Sequence, residues 1–135
     1  MKTSHIEILA PAGSFESLQA AINAGCNAVY FGIGDMNMRA TAAANFSNED
    51  MPEIVKICHE NNVKAYLTLN TLVYDQEVEE MKTIVQTAKK DGVDAVIAAD
   101  MATIAYANQV DLEVHISTQL SISNIESVKF YSKFS

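Results

Sequence analysis

The sequence predicts an α/β protein that consists of the first five strand–helix units of a (β/α)8 barrel. Short apolar runs alternate with longer segments of helical period, which is typical of βα units in a parallel sheet. Two of these runs carry polar residues at every second position, as expected for strands whose inner face lines a barrel. A full barrel of this type needs about 250 residues, and the chain has 135. We therefore expect residues 1–135 to form one partial barrel domain.

Five strands are predicted from short apolar runs that lie between turn residues. They are Ile6–Ala10, Ala28–Gly32, Val63–Asn70, Ala95–Ala99 and Leu112–Thr118. Strands three and five place polar side chains on one face and apolar ones on the other. The polar faces hold Lys64, Tyr66, Thr68 and Asn70 on strand three, and Glu113, His115, Ser117 and Gln119 on strand five. Strands of a doubly wound sheet are buried on both faces and would be more continuously apolar, so the alternation favours the barrel.

The helices are predicted from capping residues and from apolar residues at helical spacing. The expected helices run from Ser17 to Ala24 after a Ser14 N-cap, from about Asn48–Pro52 to Asn61, from Gln76 to Lys90, from Met101 to Asn108, and from Asn124 onward. Because the last pattern still holds at Phe134, we expect the chain to end inside the fifth helix. The pattern Gly-x-Asx-Ala-Val occurs twice, at Gly25–Val29 and Gly92–Val96, each time between a helix and a strand.

Composition excludes several classes of function. The net charge is -8, with nine scattered positive residues, so there is no basic patch for a phosphate backbone. The polar N-terminus and the absence of about 18 consecutive apolar residues predict a cytoplasmic protein without a membrane segment. Cys26 and Cys58 are not spaced as zinc ligands or as a disulfide framework. We expect neither a metal site nor a cofactor within this chain.

The loop after strand two is the longest predicted connection at the carboxyl end of the barrel, where active sites of such barrels lie. It contains Arg39, the only arginine in the sequence, and Asn45. A guanidinium group suits a carboxylate or a phosphate, so Arg39 is a candidate anion contact. An ion pair of Arg39 with Asp35 or Asp100 is the alternative. We predict Arg39 and Asn45 to bind substrate.

The end of strand five supplies the other candidate site residues, together with Asn70 at the end of strand three. His115 is a candidate general base, and Ser117 and Gln119 are candidates for orienting the substrate. The alternative is a structural histidine that is hydrogen-bonded to Glu113, to Tyr66 or to the backbone.

Asp100, directly after strand four, is the second catalytic candidate. A triad of Ser117, His115 and Asp100 is not favoured, because side chains two residues apart on a strand point in parallel rather than toward each other. No metal-binding triad is apparent in the sequence.

Several separate motifs occur in order near the predicted strand ends. They lie at residues 8–14, 28–32, 38–40, 45–46, 66–70, 98–100 and 115–119. Together they resemble the collagenase-like peptidases of family U32 over essentially the whole chain. The resemblance implies an N-terminal barrel domain that is followed by further sequence with a cysteine cluster. In some relatives that cluster is an iron–sulfur centre, but Cys26 and Cys58 do not correspond to its cysteines.

The resemblance implies two functions of different classes. The first is a collagenase-like peptidase, a hydrolase without an agreed catalytic residue, whose partner would be a peptide or a small carboxylate-bearing ligand. The alternative is an iron–sulfur-dependent factor for RNA base hydroxylation or quinone biosynthesis, with RNA contacted only indirectly. In that case, or if strands six to eight complete the site, the 135-residue fragment itself is inactive. Open edges on strands one and five would also favour self-association.

Overall fold

The computed structural model describes residues 6–37 and 46–135, which form five parallel strands alternating with five α-helices. The strands are β1 (Leu9–Pro11), β2 (Ala28–Gly32), β3 (Lys64–Leu69), β4 (Ala95–Ala98) and β5 (Glu113–Ile116). The helices are α1 (Phe15–Asn23), α2 (Met51–Glu60), α3 (Val78–Asp91), α4 (Met101–Gln109) and α5 (Ile125–Tyr131). Short 3-10 helices precede α2 and α3 and follow β5.

The strands follow one another across the sheet in the order β1-β2-β3-β4-β5, and every neighbouring pair is parallel. A doubly wound sheet reverses its strand order at a switch point, and no reversal occurs among these five strands. Sequential parallel strands with helical crossovers are the arrangement of a (β/α)8 barrel wall. The predicted fold class is therefore confirmed.

The two faces of the sheet have different partners. One face packs against the helices and forms the main core, which includes Val29, Phe31, Leu67 and Val96. The opposite, inner face is lined in register: Tyr30 lies beside Tyr66, Thr68 beside Ile97, and Ile97 beside His115. The inner face carries only a small apolar cluster at its N-terminal half, with Ala28, Tyr66 and Ala95 buried. The alternation predicted for strands three and five is the alternation that the structure shows.

The repeated Gly-x-Asx-Ala-Val pattern has the same structural role in both places. Gly25 and Gly92 both have φ of +86°, a left-handed conformation that favours glycine at a helix end. The Asx side chain of each repeat then accepts a backbone N–H from the neighbouring, earlier strand segment. Asn27 accepts from Ile8 at 2.8 Å, and Asp94 accepts from Ala65 at 2.8 Å. Each repeat thus ends a helix and hydrogen-bonds the following strand to its neighbour.

Several element ends differ from the prediction by one to three residues. β1 begins at Leu9 rather than Ile6. β5 ends at Ile116, because Ser117 caps a 3-10 helix over Thr118–Leu120. α5 ends at Tyr131, three residues before Phe134, and it buries no residue, so little packing favours a longer helix.

β1 forms one edge of the described sheet and carries exposed apolar side chains. Ile6, Ile8 and Leu9 are exposed beside β1, which is the kind of edge at which chains associate. Self-association stays a prediction.

Within residues 6–37 and 46–135, no helix combines the length and apolar character that a membrane crossing needs.

Candidate functional site

A cleft of about 350 Å³ lies on the inner face of the sheet. Its size falls in the range of small-molecule sites, about 300–1,000 Å³. β2, β3 and β5 each contribute a polar side chain or an aromatic ring to its wall or rim, whereas β1 and β4 contribute apolar side chains. The lining residues are Leu9, Tyr30, Thr68, Asn70, Ile97, His115, Ile116, Ser117 and Thr118. Three of the residues predicted from the sequence, Asn70, His115 and Ser117, meet here.

His115 is held by two neighbours on the inner face. Its Nε2 lies 2.8 Å from Oε1 of Glu113, and its ring meets the Tyr66 ring edge-on, with centroids 4.6 Å apart. Both contacts are consistent with the alternative role of His115, that of a structural histidine held by Glu113 and Tyr66. They do not exclude a general base, because Nδ1 has no hydrogen-bond partner among the described residues. The catalytic role of His115 stays a prediction.

The Ser117 hydroxyl lies at the carboxyl end of the cleft and is almost fully buried. Its Oγ accepts hydrogen bonds from Asn70 Nδ2 at 3.3 Å and from the Gln119 backbone N–H at 3.2 Å. A hydroxyl group has one donor and two acceptor positions, so both acceptor positions are used. Its proton finds no acceptor in the described part of the chain. Ser117 can therefore donate a hydrogen bond to a ligand oxygen in the cleft.

Asp100 does not line the cleft. It is the N-cap of α4, with Oδ1 accepting from the Ala102 N–H at 2.8 Å, while Oδ2 accepts from the Val73 N–H at 3.1 Å. The carboxylate therefore joins the β3–α3 loop to the start of α4, a structural arrangement that the capping preference of aspartate explains. The catalytic assignment of Asp100 stays a prediction without support from the cleft geometry.

Gln119 is exposed and also lies outside the cleft lining. The prediction had placed its side chain on the inner face of strand five, but the strand ends before it. Arg39 and Asn45 fall outside the described residues, so their predicted contacts with substrate stay predictions.

Asn37 is a buried residue near the start of the loop between β2 and α2. The sequence did not indicate it as a site residue. Its Nδ2 donates to the carbonyls of Ile33 and Gly34 at 3.0 and 3.2 Å. A Cβ placed on Gly32 would come within 2.4 Å of Asn37 Oδ1. The missing side chain at Gly32 therefore leaves room for the amide that braces the start of the β2–α2 loop.

We expect Gly32→Ala to lower the free energy of unfolding by about 1–3 kcal/mol, the usual cost of overpacking a filled core. Urea unfolding followed by circular dichroism measures the change. The matched control is the same substitution in an Asn37→Ala background, where the clashing amide is gone. The cost of Gly32→Ala should shrink there. Equal costs in the two backgrounds would show that Asn37 is not the cause.

Six further lining residues are absent from the predicted site: Leu9, Tyr30, Thr68, Ile97, Ile116 and Thr118. The sequence places Thr68 on the polar face of strand three, but not in the site. The alternation of side chains along a strand predicts the inner face for two of them, because Tyr30 and Ile97 follow the inner positions Ala28 and Ala95 by two residues. Ile116 and Thr118 enter the lining where the strand becomes a 3-10 helix. The alternation no longer holds at that point.

The Tyr66 hydroxyl donates a hydrogen bond to Oε1 of Glu7 at 2.9 Å. Burial, that hydrogen bond and the nearby carboxylates raise the pKa of Tyr66 well above its usual value. The phenol therefore stays protonated at neutral pH. Tyr66 acts as a neutral donor toward Glu7 and as a rigid ring beside His115.

The cysteines do not fit an iron–sulfur cluster. Such clusters are held by several thiolates, whereas this sequence has two cysteines. Both are buried free thiols in the core beneath the helices. Burial raises the pKa of Cys58 to about 12, with Cys26 and Asp94 adding to the effect. In the part of the chain that the structure describes, no group of three or more His, Cys, Asp or Glu residues is arranged to hold a metal ion.

The fold and the cleft define a barrel-type α/β protein with a ligand-sized inner face. The sequence model described as Peptidase family U32 matches residues 13–135. The chain belongs to peptidase family U32, as its sequence motifs indicate. The solved structure of a U32 peptidase superposes with a TM-score of 0.79 at 12% identity, covering 100% of this chain and 57% of that one, which supports the fold.

Curated relatives carry two kinds of name. A collagenase of Porphyromonas gingivalis is 50% identical over 99% of this chain and 32% of its own length. The tRNA hydroxylation protein P1 of Bacillus subtilis is 32% identical over 97% of this chain and 31% of its own. A 23S rRNA 5-hydroxycytidine synthase of Escherichia coli is 36% identical over 96% and 20%. The chain thus spans a third or less of the length of these relatives.

Proposed function

We propose that the full-length protein is a collagenase-like peptidase and that this chain forms part of its substrate cleft. The 50% identity to a collagenase across 99% of the chain is the observation that carries the proposal. The inner-face cleft supports it, because its wall combines apolar side chains with a few polar groups, which is typical of ligand sites. A peptide segment is the partner that fits such a wall, since it presents both side chains and carbonyl oxygens.

Within this proposal, His115 is the general base for water. Nδ1 of His115 takes a proton from a water molecule while the water oxygen bonds to the carbonyl carbon of the peptide. The carbon–nitrogen bond then breaks, and the same proton passes from His115 to the leaving amine. No covalent enzyme intermediate is required, which is consistent with a cleft that contains no cysteine.

Ser117 is the proposed donor to the substrate carbonyl oxygen. Its Oγ already accepts from Asn70 and from the Gln119 backbone, so its proton is the part of the group left for a ligand. A donor aimed at the carbonyl oxygen stabilises the charge that develops there during attack. Asn70 acts through Ser117 and keeps the hydroxyl in place.

The test is cleavage of gelatin and of a collagen-like peptide by the full-length protein, with new peptide termini identified by mass spectrometry. We expect Ser117→Ala to lower kcat/KM by about 10²–10³-fold, the usual cost of removing one donor to the developing oxyanion. The control is Ser123→Ala, because Ser123 is an exposed residue outside the cleft lining on the same β5–α5 connection. An absence of new termini from a properly folded preparation would refute the peptidase proposal.

Oxidative modification of an RNA base is the second candidate, favoured by the two relatives that are named for RNA hydroxylation or hydroxycytidine synthesis. Any iron–sulfur cluster would then need ligands from outside these 135 residues. Mass spectrometry of nucleosides from a strain that lacks the gene separates the candidates. Under the peptidase proposal the nucleoside profile stays unchanged, whereas loss of a hydroxylated nucleoside would favour RNA modification.

A further inference from the structure

Two side chains hold His115 on the inner face, and neither of them has a role in the chemistry proposed above. Glu113 Oε1 lies 2.8 Å from His115 Nε2, and the Tyr66 ring contacts the imidazole at a steep angle of 75°. Glu113 does not line the cleft, whereas His115 does. The carboxylate thus contacts the histidine from outside the space that a substrate would occupy.

We propose that Glu113 is a positioning residue that keeps the proton of His115 on Nε2 and leaves Nδ1 as the basic nitrogen. An ionised carboxylate can only accept hydrogen bonds, so it selects the tautomer that donates from Nε2. In a neutral imidazole the other nitrogen is then an acceptor. This inference rests on the proposed function, because a fixed tautomer matters for catalysis only if His115 acts as the base.

The strand geometry explains why Glu113 reaches His115. Residues two apart on a strand lie on the same face with parallel side chains, which places Glu113 directly beside His115 on β5. Parallel side chains prevent Ser117 from serving as the partner, because a serine is too short to lean across. A glutamate has two more carbons, and its carboxylate spans the gap.

Tyr66, on β3, restrains the imidazole ring of His115, which lies two strands away on β5. Its hydroxyl is anchored by Oε1 of Glu7 at 2.9 Å, so the phenol ring is fixed at both ends of its side chain. An edge-on contact with such a ring limits rotation of the imidazole about its own axis. Glu113 therefore sets the protonated nitrogen, and Tyr66 sets the plane of the ring.

The exposure of Glu113 makes the proposal testable by substitution. Its side chain is 66% exposed, and ion pairs at that exposure add little to folding stability. Variants at this position are therefore expected to fold. Glu113→Gln keeps an amide carbonyl that can accept from Nε2, whereas Glu113→Ala removes the acceptor.

The first measurement is the nitrogen chemical shifts of isotope-labelled histidine in the full-length protein, with His115 assigned from a His115→Gln variant. We expect a protonated Nε2 and an unprotonated Nδ1 in the wild type. In Glu113→Ala both shifts should move toward the average of the two tautomers, and Glu113→Gln should restore the wild-type pattern. Wild-type shifts in Glu113→Ala would overturn the proposal.

The second measurement is the kinetics of peptide cleavage by the same variants. Glu113→Ala should lower kcat by about 10- to 100-fold, part of the 10²–10⁴ that a general base contributes, with KM unchanged. Glu113→Gln should recover most of that loss. A wild-type kcat in Glu113→Ala would remove the positioning role. If no variant and no wild type cleaves peptide, the peptidase proposal fails, while the tautomer measurement still decides whether Glu113 holds His115.

Tyr66 supplies a matched pair of variants for the same spectra. Tyr66→Phe loses the hydrogen bond to Glu7 but keeps a ring beside His115, whereas Tyr66→Ala loses both. We expect the His115 shifts to change little in Tyr66→Phe and to change clearly in Tyr66→Ala. Identical shifts in both variants would show that the ring contact does not restrain His115.

Discussion

Replacing His115 by alanine in the full-length protein is expected to lower kcat for peptide hydrolysis by about 10²–10⁴-fold, the usual contribution of a general base. The expectation follows from three observations on this side chain. It lines the cleft, its Nε2 is engaged by Glu113, and its Nδ1 has no partner among the described residues. KM should change little, because the base acts on water rather than on the bound peptide.

The control for His115→Ala is His59→Ala. His59 lies on α2, away from the cleft lining, and its Nε2 is 2.9 Å from Asp94 Oδ2. Removing it deletes an imidazole of the same kind without touching the inner face. We expect the cleavage rate of His59→Ala to match the wild type. A His115→Ala protein that folds and keeps its kcat would exclude His115 as the base.

Phe46→Ala is expected to lower the free energy of unfolding by about 3–5 kcal/mol, the range for removing a buried aromatic ring. Phe46 is 5% exposed. Its ring meets Phe15 and Phe31 edge-on, with centroids 5.2 and 6.1 Å away. Its backbone also accepts a hydrogen bond from Gly34 N–H at 3.3 Å and pairs with Ile33. The Phe46 side chain, which follows the loop after β2, thus contacts both α1 and β2.

Urea unfolding monitored by circular dichroism measures this loss, and Phe130→Ala is the control. Phe130 lies on α5 with 51% of its surface exposed, so its removal should change the free energy of unfolding by no more than about 0.5 kcal/mol. If Phe46→Ala and Phe130→Ala lower the free energy of unfolding by similar amounts, the contacts of Phe46 with Phe15 and Phe31 do not stabilise the fold.

The candidate site was predictable from the sequence only in part. Strand alternation identified His115 and Ser117 on the inner face, and the end of strand three identified Asn70. Gln119 was placed there by extending the same alternation, and it fails because Ser117 caps a 3-10 helix that ends the strand. A cap of this kind depends on a single hydroxyl and on the local backbone, so the period of a strand does not reveal it.

Asp100 shows a second limit of the sequence. An aspartate directly after a barrel strand is equally typical of an active-site carboxylate and of a helix N-cap. Its two oxygens accept from Ala102 and Val73, and the second of these contacts joins two different βα units. The contact with Val73 depends on how those units pack, so the sequence alone does not reveal it.

The sequence by itself determined the five βα units, the polar inner positions of strands three and five, and the motifs of peptidase family U32. These features are local, because they depend on periodicity, capping and short segments in order. The tertiary structure decided which polar groups of different βα units meet: Asn70 with Ser117, and Asp100 with the Val73 backbone amide away from the cleft. Those partnerships depend on where each strand ends and how neighbouring strands align, because a shift of one residue turns a side chain to the other face of the sheet.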